Sequence, residues 1–280
     1  MRELANVNGR ISSIQDAVIP AEDRGYLFGD GVYEVVRAYN SRIWALDRHW
    51  HRFQRSLEEI QLRIDNLEEI RSWILETYQE SQIPNATLYY HLTRGVAPRS
   101  HVWNEHLKPT FFMSVRRFEE RGCVGGTTVH AFPDQRWGRC DIKSLNLLPN
   151  VLVKQQARKL GAYEALLVNG QGQVTEGSSS AIMAIVNDTI VVPPRAPSIL
   201  PSITRAFVRE IALEINLTFQ ERWLSLAEFG AASEALLAGT GDEIMGITHL
   251  NGKVIGTGKV GVHTQNILRQ YRERIDQQQD

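Results

Sequence analysis

Segments with the patterns of strands and of helices follow one another in runs along this chain, and that order limits the possible folds more than any other feature. Apolar and polar residues alternate around the dipeptide Asn8-Gly9, which favours a tight hairpin turn. Amphipathic helices are predicted next, one with Asp47 as its N-cap and one near 67–78. Strands are predicted again at 87–94 and 109–116, where aromatic and β-branched residues are concentrated. This grouping favours an α+β fold over an alternating parallel sheet.

The second half of the chain shows the same grouping. The strands predicted there are 127–132, 163–168, 180–186 and 188–193, with a hairpin turn at 169–172. The helices predicted there are 150–160, 202–215 and 262–276. A length of 280 residues suits one large or two ordinary domains. A charged, glycine-bearing stretch predicts a linker at 119–123, which separates a smaller α+β domain over 1–118 from a larger domain over 124–280.

Charge and composition exclude several classes of partner. With 31 Lys and Arg against 32 Asp and Glu, the chain has no bulk basic field that would attract nucleic acid or an anionic membrane. We expect neither export nor membrane insertion, because the N-terminal segment has no apolar core and no run of eighteen apolar residues occurs. Cys123 and Cys140 are too few for a disulfide framework, which favours a reducing compartment and a cytoplasmic protein. No metal site is expected, since His49 and His51 would point in different directions on a helix.

Two motifs of small residues resemble parts of known ligand-binding patterns. Gly29-Asp30-Gly31 begins like a dinucleotide fingerprint, but Glu34 stands where the third glycine is needed and a strand follows. The motif is interpreted as a turn that enters a strand, with Tyr33 able to face a ligand. The segment 177–180 lacks the spacing of a serine nucleophile, so its three hydroxyls indicate either a turn or a pocket that binds an anion.

The segment 136–146 concentrates positive charge around Lys143. A lysine held among other cations and partly desolvated loses its proton more readily than an isolated one, and it then becomes an amine nucleophile. A solvated basic loop remains the alternative interpretation of this segment taken alone.

Three motifs taken together resemble the class IV, fold-type IV pyridoxal-phosphate aminotransferases: residues 24–34, 140–146 and 174–180, in that order. Within that family the chain is most similar to the D-amino acid aminotransferase branch, because Thr93-Arg94-Gly95 and residues 98–101 also match. The chain departs from the pattern at Ala181, where relatives commonly have asparagine, and at Gly239, where close relatives have serine. Each departure removes one hydrogen-bonding side chain near the cofactor.

The resemblance implies roles for individual residues. Lys143 would carry pyridoxal phosphate covalently and move the proton at the substrate α-carbon. Glu176 would pair with the cofactor's ring nitrogen and keep it protonated, so that the ring can take up electrons. The cofactor phosphate would be bound by Arg52, Ile203, Thr204 and Thr240. Glu34 and His49 would support Arg52 or Lys143.

The resemblance also implies an architecture and an activity. The cofactor would lie in the cleft between the two domains of a homodimer, with 124–280 as the cofactor-binding domain. Tyr33 would bind the substrate carboxylate together with Arg99 and His101 of the neighbouring subunit. The expected reaction is transamination between a D-amino acid, such as D-alanine or D-glutamate, and a 2-oxo acid. The alternatives are an L-branched-chain or R-selective amine transaminase, an aminodeoxychorismate lyase, or a cofactor-binding protein without catalysis, against which Lys143 and Glu176 argue.

Overall fold

The computed structural model describes residues 1–118, 125–277 and 280, and its contacts divide the chain into two compact units. The first unit is Met1–Glu120 with Ile142–Asn146, and the second is Arg121–Asp141 with Leu147–Asp280. The segment that contains Lys143 thus groups with the first unit. The predicted linker at 119–123 lies outside the described residues, and the domain limits stay a prediction.

The first unit contains an antiparallel sheet. Its strands are β1 (Leu4–Val7), β2 (Arg10–Ser13), β3 (Gly31–Tyr39), β4 (Arg42–Ile43), β5 (Ala86–Thr93) and β6 (Thr110–Arg117). They are arranged in the order β2-β1-β6-β5-β3-β4. The predicted hairpin is confirmed: Asn8 and Gly9 join β1 to β2, with φ of 50° and 85°, in the region that this turn requires. The predicted strands at 87–94 and 109–116 are β5 and β6.

The helices of this unit are α1 (Arg24–Phe28), α2 (Leu46–Glu59) and α3 (Leu67–Ser81), and a short 3-10 turn spans Ile14–Asp16. The prediction that Asp47 is the N-cap of α2 is wrong, because Ala45 takes that position with a left-handed backbone. Asp47 lies in the first turn instead, where its charge suits the helix dipole. Trp50 and Phe53 of α2 and Ile74 of α3 are buried with the apolar side chains of β3, β5 and β6. These contacts form the core of the first unit.

The second unit contains a mixed sheet. Its strands are β7 (Thr127–Pro133), β8 (Glu164–Val168), β9 (Val174–Gly177), β10 (Ala181–Val186), β11 (Thr189–Val192), β12 (Thr218–Glu221), β13 (Glu234–Gly239), β14 (Glu243–Leu250) and β15 (Lys253–Val254). The order is β12-β11-β10-β13-β14-β7-β8-β9, and β15 pairs with β14. β7 runs parallel to both β14 and β8, and β11 runs parallel to β12.

The helices of the second unit are α4 (Leu148–Lys159), α5 (Ile203–Glu214), α6 (Leu226–Gly230) and α7 (Val262–Gln277). The predictions for α4, α5 and α7 are confirmed to within two residues. The short α6 and the strands β9 and β12 to β15 were not predicted. With strands and helices in both units, the predicted α+β class is confirmed. In the described part of the chain, no helix combines the length and apolar character that crossing a membrane requires.

Candidate active site

The backbone of Lys143 is held against β3 and α2. Its carbonyl accepts a 2.9 Å hydrogen bond from the Tyr33 N–H, and its own N–H donates to Ser56 Oγ at 3.3 Å. On either side of it, Ser144 forms a bridge with Val32 and the Leu145 N–H donates to the Gly31 carbonyl at 3.0 Å. The segment therefore adds to the sheet at the start of β3, which gives the lysine a defined position.

The side chain of Lys143 lies beside an aromatic surface. Its Nζ atom is 4.2 Å from the centre of the Tyr33 ring, and that ring is 5.8 Å from the ring of Tyr89. Tyr89 Oη hydrogen-bonds His91 Nδ1 at 2.9 Å. Burial raises the pKa of Tyr89 to about 12 and lowers the pKa of His91 to about 4, so both groups are neutral at pH 7. Among the described residues the Lys143 amine has no carboxylate partner, and its recorded side-chain contact is with the Tyr33 ring.

A buried ionic network surrounds Arg52. The guanidinium donates from Nε to Glu34 Oε1 at 2.7 Å and from Nη2 to Oε2 at 2.8 Å, and His49 Nδ1 lies 2.8 Å from the same Oε2. Burial alone would raise the pKa of Glu34, but Arg52 and His49 outweigh burial and hold that pKa well below its usual range. Burial lowers the pKa of His49. The contact predicted between Glu34, His49 and Arg52 is present, whereas the phosphate role of Arg52 stays a prediction.

Glu176 is buried in the second unit and has protein partners on both oxygens. Arg136 Nη1 donates to its Oε2 at 2.5 Å, and the Leu200 N–H donates to its Oε1 at 3.0 Å. Arg136 also binds Asp134, with Nε–Oδ1 and Nη2–Oδ2 distances of 2.9 and 2.8 Å. Burial raises the pKa of Glu176, and Arg136 offsets part of that rise. Since a carboxylate has about four lone-pair sites, Glu176 retains capacity for a further donor.

The candidate phosphate ligands of the second unit lie at a helix start and in a turn. Ile203 and Thr204 are the first residues of α5, and the cap Ser202 accepts the Arg205 N–H at 3.1 Å. Within the part of the chain that the structure describes, the N–H groups of Ile203 and Thr204 have no acceptor. Thr240 lies in the turn between β13 and β14. The free N–H groups and the positive end of the helix dipole suit a dianion.

Arg99 and His101 are exposed on the loop between β5 and β6. The Arg99 guanidinium is 5.2 Å from the centre of the Phe28 ring, and the His101 ring is 5.5 Å from it. Among the described residues Arg99 has no acidic partner, and no hydrogen bond, ion pair or ring contact joins either side chain to Tyr33. The structure brings the two loop residues together and does not bring them to Tyr33 of the same chain.

The comparison that decides the family is with amino-transferase class IV, whose family model matches residues 31–250. The chain belongs to the class IV aminotransferases. It is 36% identical over 277 residues to a D-alanine aminotransferase of Staphylococcus epidermidis, with 96% of each chain covered. It is 38% identical over 266 residues to a D-alanine aminotransferase of Bacillus licheniformis, with 93% of each covered. The Escherichia coli branched-chain amino acid aminotransferase has the same fold, with a TM-score of 0.90 at 19% identity over 98% of this chain and 94% of that one.

Class IV aminotransferases use pyridoxal phosphate, and the residues of this aminotransferase fit that cofactor. Lys143 offers an amine without an acidic partner among the described residues. Glu176 offers a buried carboxylate with room for a ring N–H donor, and the start of α5 offers free N–H groups for a phosphate. The aldehyde, the ring nitrogen and the phosphate of the cofactor therefore each have a complementary group on this chain.

Sequence reasoning missed several contacts in this class IV aminotransferase. The sequence places Arg136 and Arg139 in the positively charged segment around Lys143, but Arg136 pairs with Glu176, and Arg139 pairs with Asp141 at 2.9 Å. The hydroxyls at 178–180 all donate to the buried carboxylate of Glu164, Ser179 at 3.0 Å and Ser180 at 3.1 Å. They bind an anion of their own chain. A glutamate at the start of the apolar strand β8 was the signal that could have revealed this partner.

Proposed function

We propose that this class IV aminotransferase transfers the amino group of a D-amino acid, such as D-alanine or D-glutamate, to a 2-oxo acid with pyridoxal phosphate as its cofactor. The observation that carries the proposal is the near full-length similarity to D-alanine aminotransferases, at 36–38% identity. The loop residues Arg99 and His101 support it, because an exposed guanidinium without an acidic partner in the described chain suits a substrate carboxylate.

Pyridoxal phosphate supplies an aldehyde that condenses with amines and a ring that takes up an electron pair. In the proposed reaction the Lys143 amine would hold the cofactor covalently, and once free it would carry the proton that leaves the substrate α-carbon. The Tyr33 ring orients that amine through the 4.2 Å contact. Glu176 accepts the ring N–H on a free lone pair, while Arg136 and the Leu200 N–H fix the direction of its carboxylate.

The proposed phosphate ligands are Arg52, Ile203, Thr204 and Thr240. Two observations support them. Arg52 is oriented by its paired hydrogen bonds to Glu34, and the first N–H groups of α5 are free within the described residues. A dianion bound there would gain charge-assisted hydrogen bonds from the guanidinium and from the helix start.

The proposed carboxylate site consists of Tyr33 from one protomer with Arg99 and His101 from the other protomer of a homodimer. The position at which the carboxylate is anchored decides which enantiomer presents its α-proton to Lys143. We therefore expect Arg99→Ala to weaken transition-state binding of a D-amino acid by about 2 to 5 kcal/mol, the scale for truncating one member of a buried charge pair.

The deciding experiment uses single turnovers of the holoenzyme. The purified enzyme is mixed separately with D-alanine, L-alanine, L-leucine and an amine without a carboxylate, and conversion of the cofactor from its pyridoxal to its pyridoxamine form is followed by absorbance. Rapid conversion with D-alanine alone supports the proposal. Equal rates with L-leucine or with the amine would replace it by an L-branched-chain or amine transaminase, and formation of pyruvate in a separate assay with aminodeoxychorismate as the sole substrate would indicate the lyase. No conversion with any substrate would mean a binding protein without catalysis.

A mixing experiment tests the homodimer and the origin of Arg99 together. Lys143→Ala is expected to be inactive and Arg99→Ala to keep only a small residual activity, and the two variants are unfolded together and refolded as an equimolar mixture. If the loop serves the neighbouring protomer, the refolded mixture regains about a quarter of the wild-type activity, because half of the dimers are mixed and one of the two sites in each mixed dimer is intact. Absence of recovery, with a dimer by analytical ultracentrifugation, would contradict the trans arrangement.

We propose the cytoplasm as the location of the enzyme. The support is the small number of cysteines, two in 280 residues, which suits a reducing compartment. Cell fractionation with an antibody to the native enzyme tests this, and recovery outside the cytoplasmic fraction would contradict it.

A further inference from the structure

We propose that Arg24 is a positioning residue for substrate binding, because it holds the loop that carries Arg99 and His101 in one shape. The inference rests on the proposed function for the identity of the ligand that this loop binds. Arg24 is the first residue of the family motif at 24–34. The roles described above for residues that would bind the cofactor or the substrate do not include it.

The guanidinium of Arg24 is hydrogen-bonded directly to the backbone of His101 and of Ser100, the residue that follows Arg99. Its Nη1 donates to the Ser100 carbonyl at 2.6 Å, and its Nη2 donates to the His101 carbonyl at 3.3 Å. Its Nε donates to Asp30 Oδ2 at 2.8 Å, so an acidic partner fixes the orientation of the guanidinium plane. Arg24 is only 3% exposed. A buried, ion-paired arginine is thereby joined to an exposed segment of the loop.

A second arginine shares the same acidic partner and holds the loop further along. Arg94 Nε donates to Asp30 at 2.9 Å, and its Nη2 donates to the Ile60 carbonyl at 2.7 Å. The Arg94 guanidinium stacks 4.1 Å from the centre of the Trp103 ring. Asp30 thus anchors both the middle of the loop, through Arg24, and the segment after it, through Arg94.

The ring of Phe28, one turn along α1 from Arg24, contacts the side chains of the loop. Its centre lies 4.9 Å from the Arg24 guanidinium, 5.2 Å from the Arg99 guanidinium and 5.5 Å from the His101 ring. The Phe28 ring therefore contacts Arg24, which we call the tether of the loop, and both candidate carboxylate ligands. A change at Arg24 would be transmitted to Arg99 and His101 through their backbone and through this ring.

The base of the loop is closed independently of Arg24's side chain. Gly95 has φ of +101°, and a Cβ there would lie 1.9 Å from the Lys108 carbonyl oxygen, so the two ends of the loop approach at a position that requires glycine. The Arg24 N–H donates to the Gly95 carbonyl at 2.9 Å. Because the ends of the loop are already fixed, loss of the Arg24 side chain would release the exposed middle of the loop rather than the whole segment.

The kinetic test uses Arg24→Met and Arg24→Lys holoenzymes with D-alanine as substrate. Because a preformed loop contributes equally to ground-state and transition-state binding of the carboxylate, we expect KM to rise by about tenfold or more in Arg24→Met while kcat changes little. Arg24→Lys keeps the charge but loses the fork geometry of the guanidinium, so its KM should lie between those of Arg24→Met and the wild type. Arg274→Met is the matched control, since Arg274 of α7 is a largely buried arginine with two acidic partners in α5, Glu210 and Glu214.

A double-mutant cycle separates positioning from general destabilisation. In an Arg99→Ala background, Arg24→Met should cause almost no further rise in KM, because the group that it positions is already absent. Equal effects in both backgrounds, or an unchanged KM in the single variant, would overturn the inference.

Hydrogen exchange measured by mass spectrometry provides a test that does not depend on the substrate. Arg24→Met should increase amide exchange over 98–103 and leave exchange in β5 and β6 unchanged. Unaltered exchange over 98–103 would overturn the inference even if D-alanine proves to be the substrate. Conversely, a wild-type enzyme that ignores D-alanine would contradict the proposed function, while faster exchange in the variant would still support the tether.

Discussion

The guanidinium of Arg136 donates a 2.5 Å hydrogen bond to the buried carboxylate of Glu176. The same guanidinium donates two hydrogen bonds to Asp134, which also accepts a 2.7 Å hydrogen bond from Thr175 Oγ1. Burial raises the pKa of Glu176, and Arg136 works against that rise. The arginine therefore helps to keep a carboxylate ionised in a place where water cannot stabilise its charge.

We expect Arg136→Gln to shift the acid limb of the pH profile of the half-reaction to higher pH. Without the guanidinium, burial acts on Glu176 with less opposition, its pKa rises further, and the carboxylate stays protonated to a higher pH. Single-turnover rates between about pH 5 and 9 measure the limb. Glu176→Gln should slow proton transfer and remove this limb, whereas Arg139→Gln, which affects the pair with Asp141, should leave it in place. An unchanged limb in Arg136→Gln would contradict the assignment.

Lys143→Ala should abolish turnover and covalent attachment of the cofactor while the protein remains folded. Both the covalent bond and the proton transfer at the α-carbon require the amine. Turnover with D-alanine, mass spectrometry after borohydride reduction, and far-UV circular dichroism measure the three properties. Lys159→Ala, at the exposed end of α4, is the control and should behave as wild type. Undiminished turnover by Lys143→Ala would remove this lysine from the reaction.

Glu34→Gln should destabilise the protein by about 3 to 5 kcal/mol, because it leaves the Arg52 charge buried without its partner. The pKa of Glu34 is held below its usual range, so its contribution to stability is present above the unfolded-state pKa of about 4.3 and is lost as the pH falls below it. The difference in the free energy of unfolding between wild type and variant, measured by urea unfolding, should therefore be large at pH 7 and shrink below about pH 4. Glu59→Gln, which alters an exposed pair with Arg55, should change stability by under about 0.5 kcal/mol. A difference in the free energy of unfolding that does not depend on pH would show that the charge of Glu34 is not the cause of the destabilisation.

Gly239→Ser should raise the affinity of the apoenzyme for pyridoxal phosphate by about fivefold, the worth of one ordinary hydrogen bond of about 1 kcal/mol. The backbone has room for the side chain, since a Cβ at Gly239 would lie 3.6 Å from its nearest neighbour, the Ser179 carbonyl oxygen. Gly239→Ala adds the same Cβ without the hydroxyl and is the matched control. Equilibrium dialysis measures all three affinities, and equal affinities for the serine and alanine variants would place this position away from the cofactor.

Most strands and helices with a clear period could be predicted from the sequence. β5 and β6 are rich in aromatic and β-branched residues, and α5 and α7 show apolar residues at helical spacing. β13 and β14 were not predicted, and for β13 the reason is that Glu234–Gly239 is rich in alanine and leucine, which favour helices. They are strands because each is paired on both sides within the sheet, β13 by β10 and β14, and β14 by β13 and β7. The sequence does not state which segments will become neighbours.

The sequence by itself determined the order of the motifs, the family and the identity of the chemical groups at Lys143 and Glu176, since each of these depends on residue types at fixed spacing. Only the tertiary structure decided their partners. Arg136 stands seven residues before Lys143 and forty before Glu176, yet it binds Glu176, and the serines at 178–180 bind Glu164 instead of an outside anion. Hydrogen bonds and ion pairs depend on distances of about 3 Å in space, and strand pairing brings together groups that are far apart along the chain.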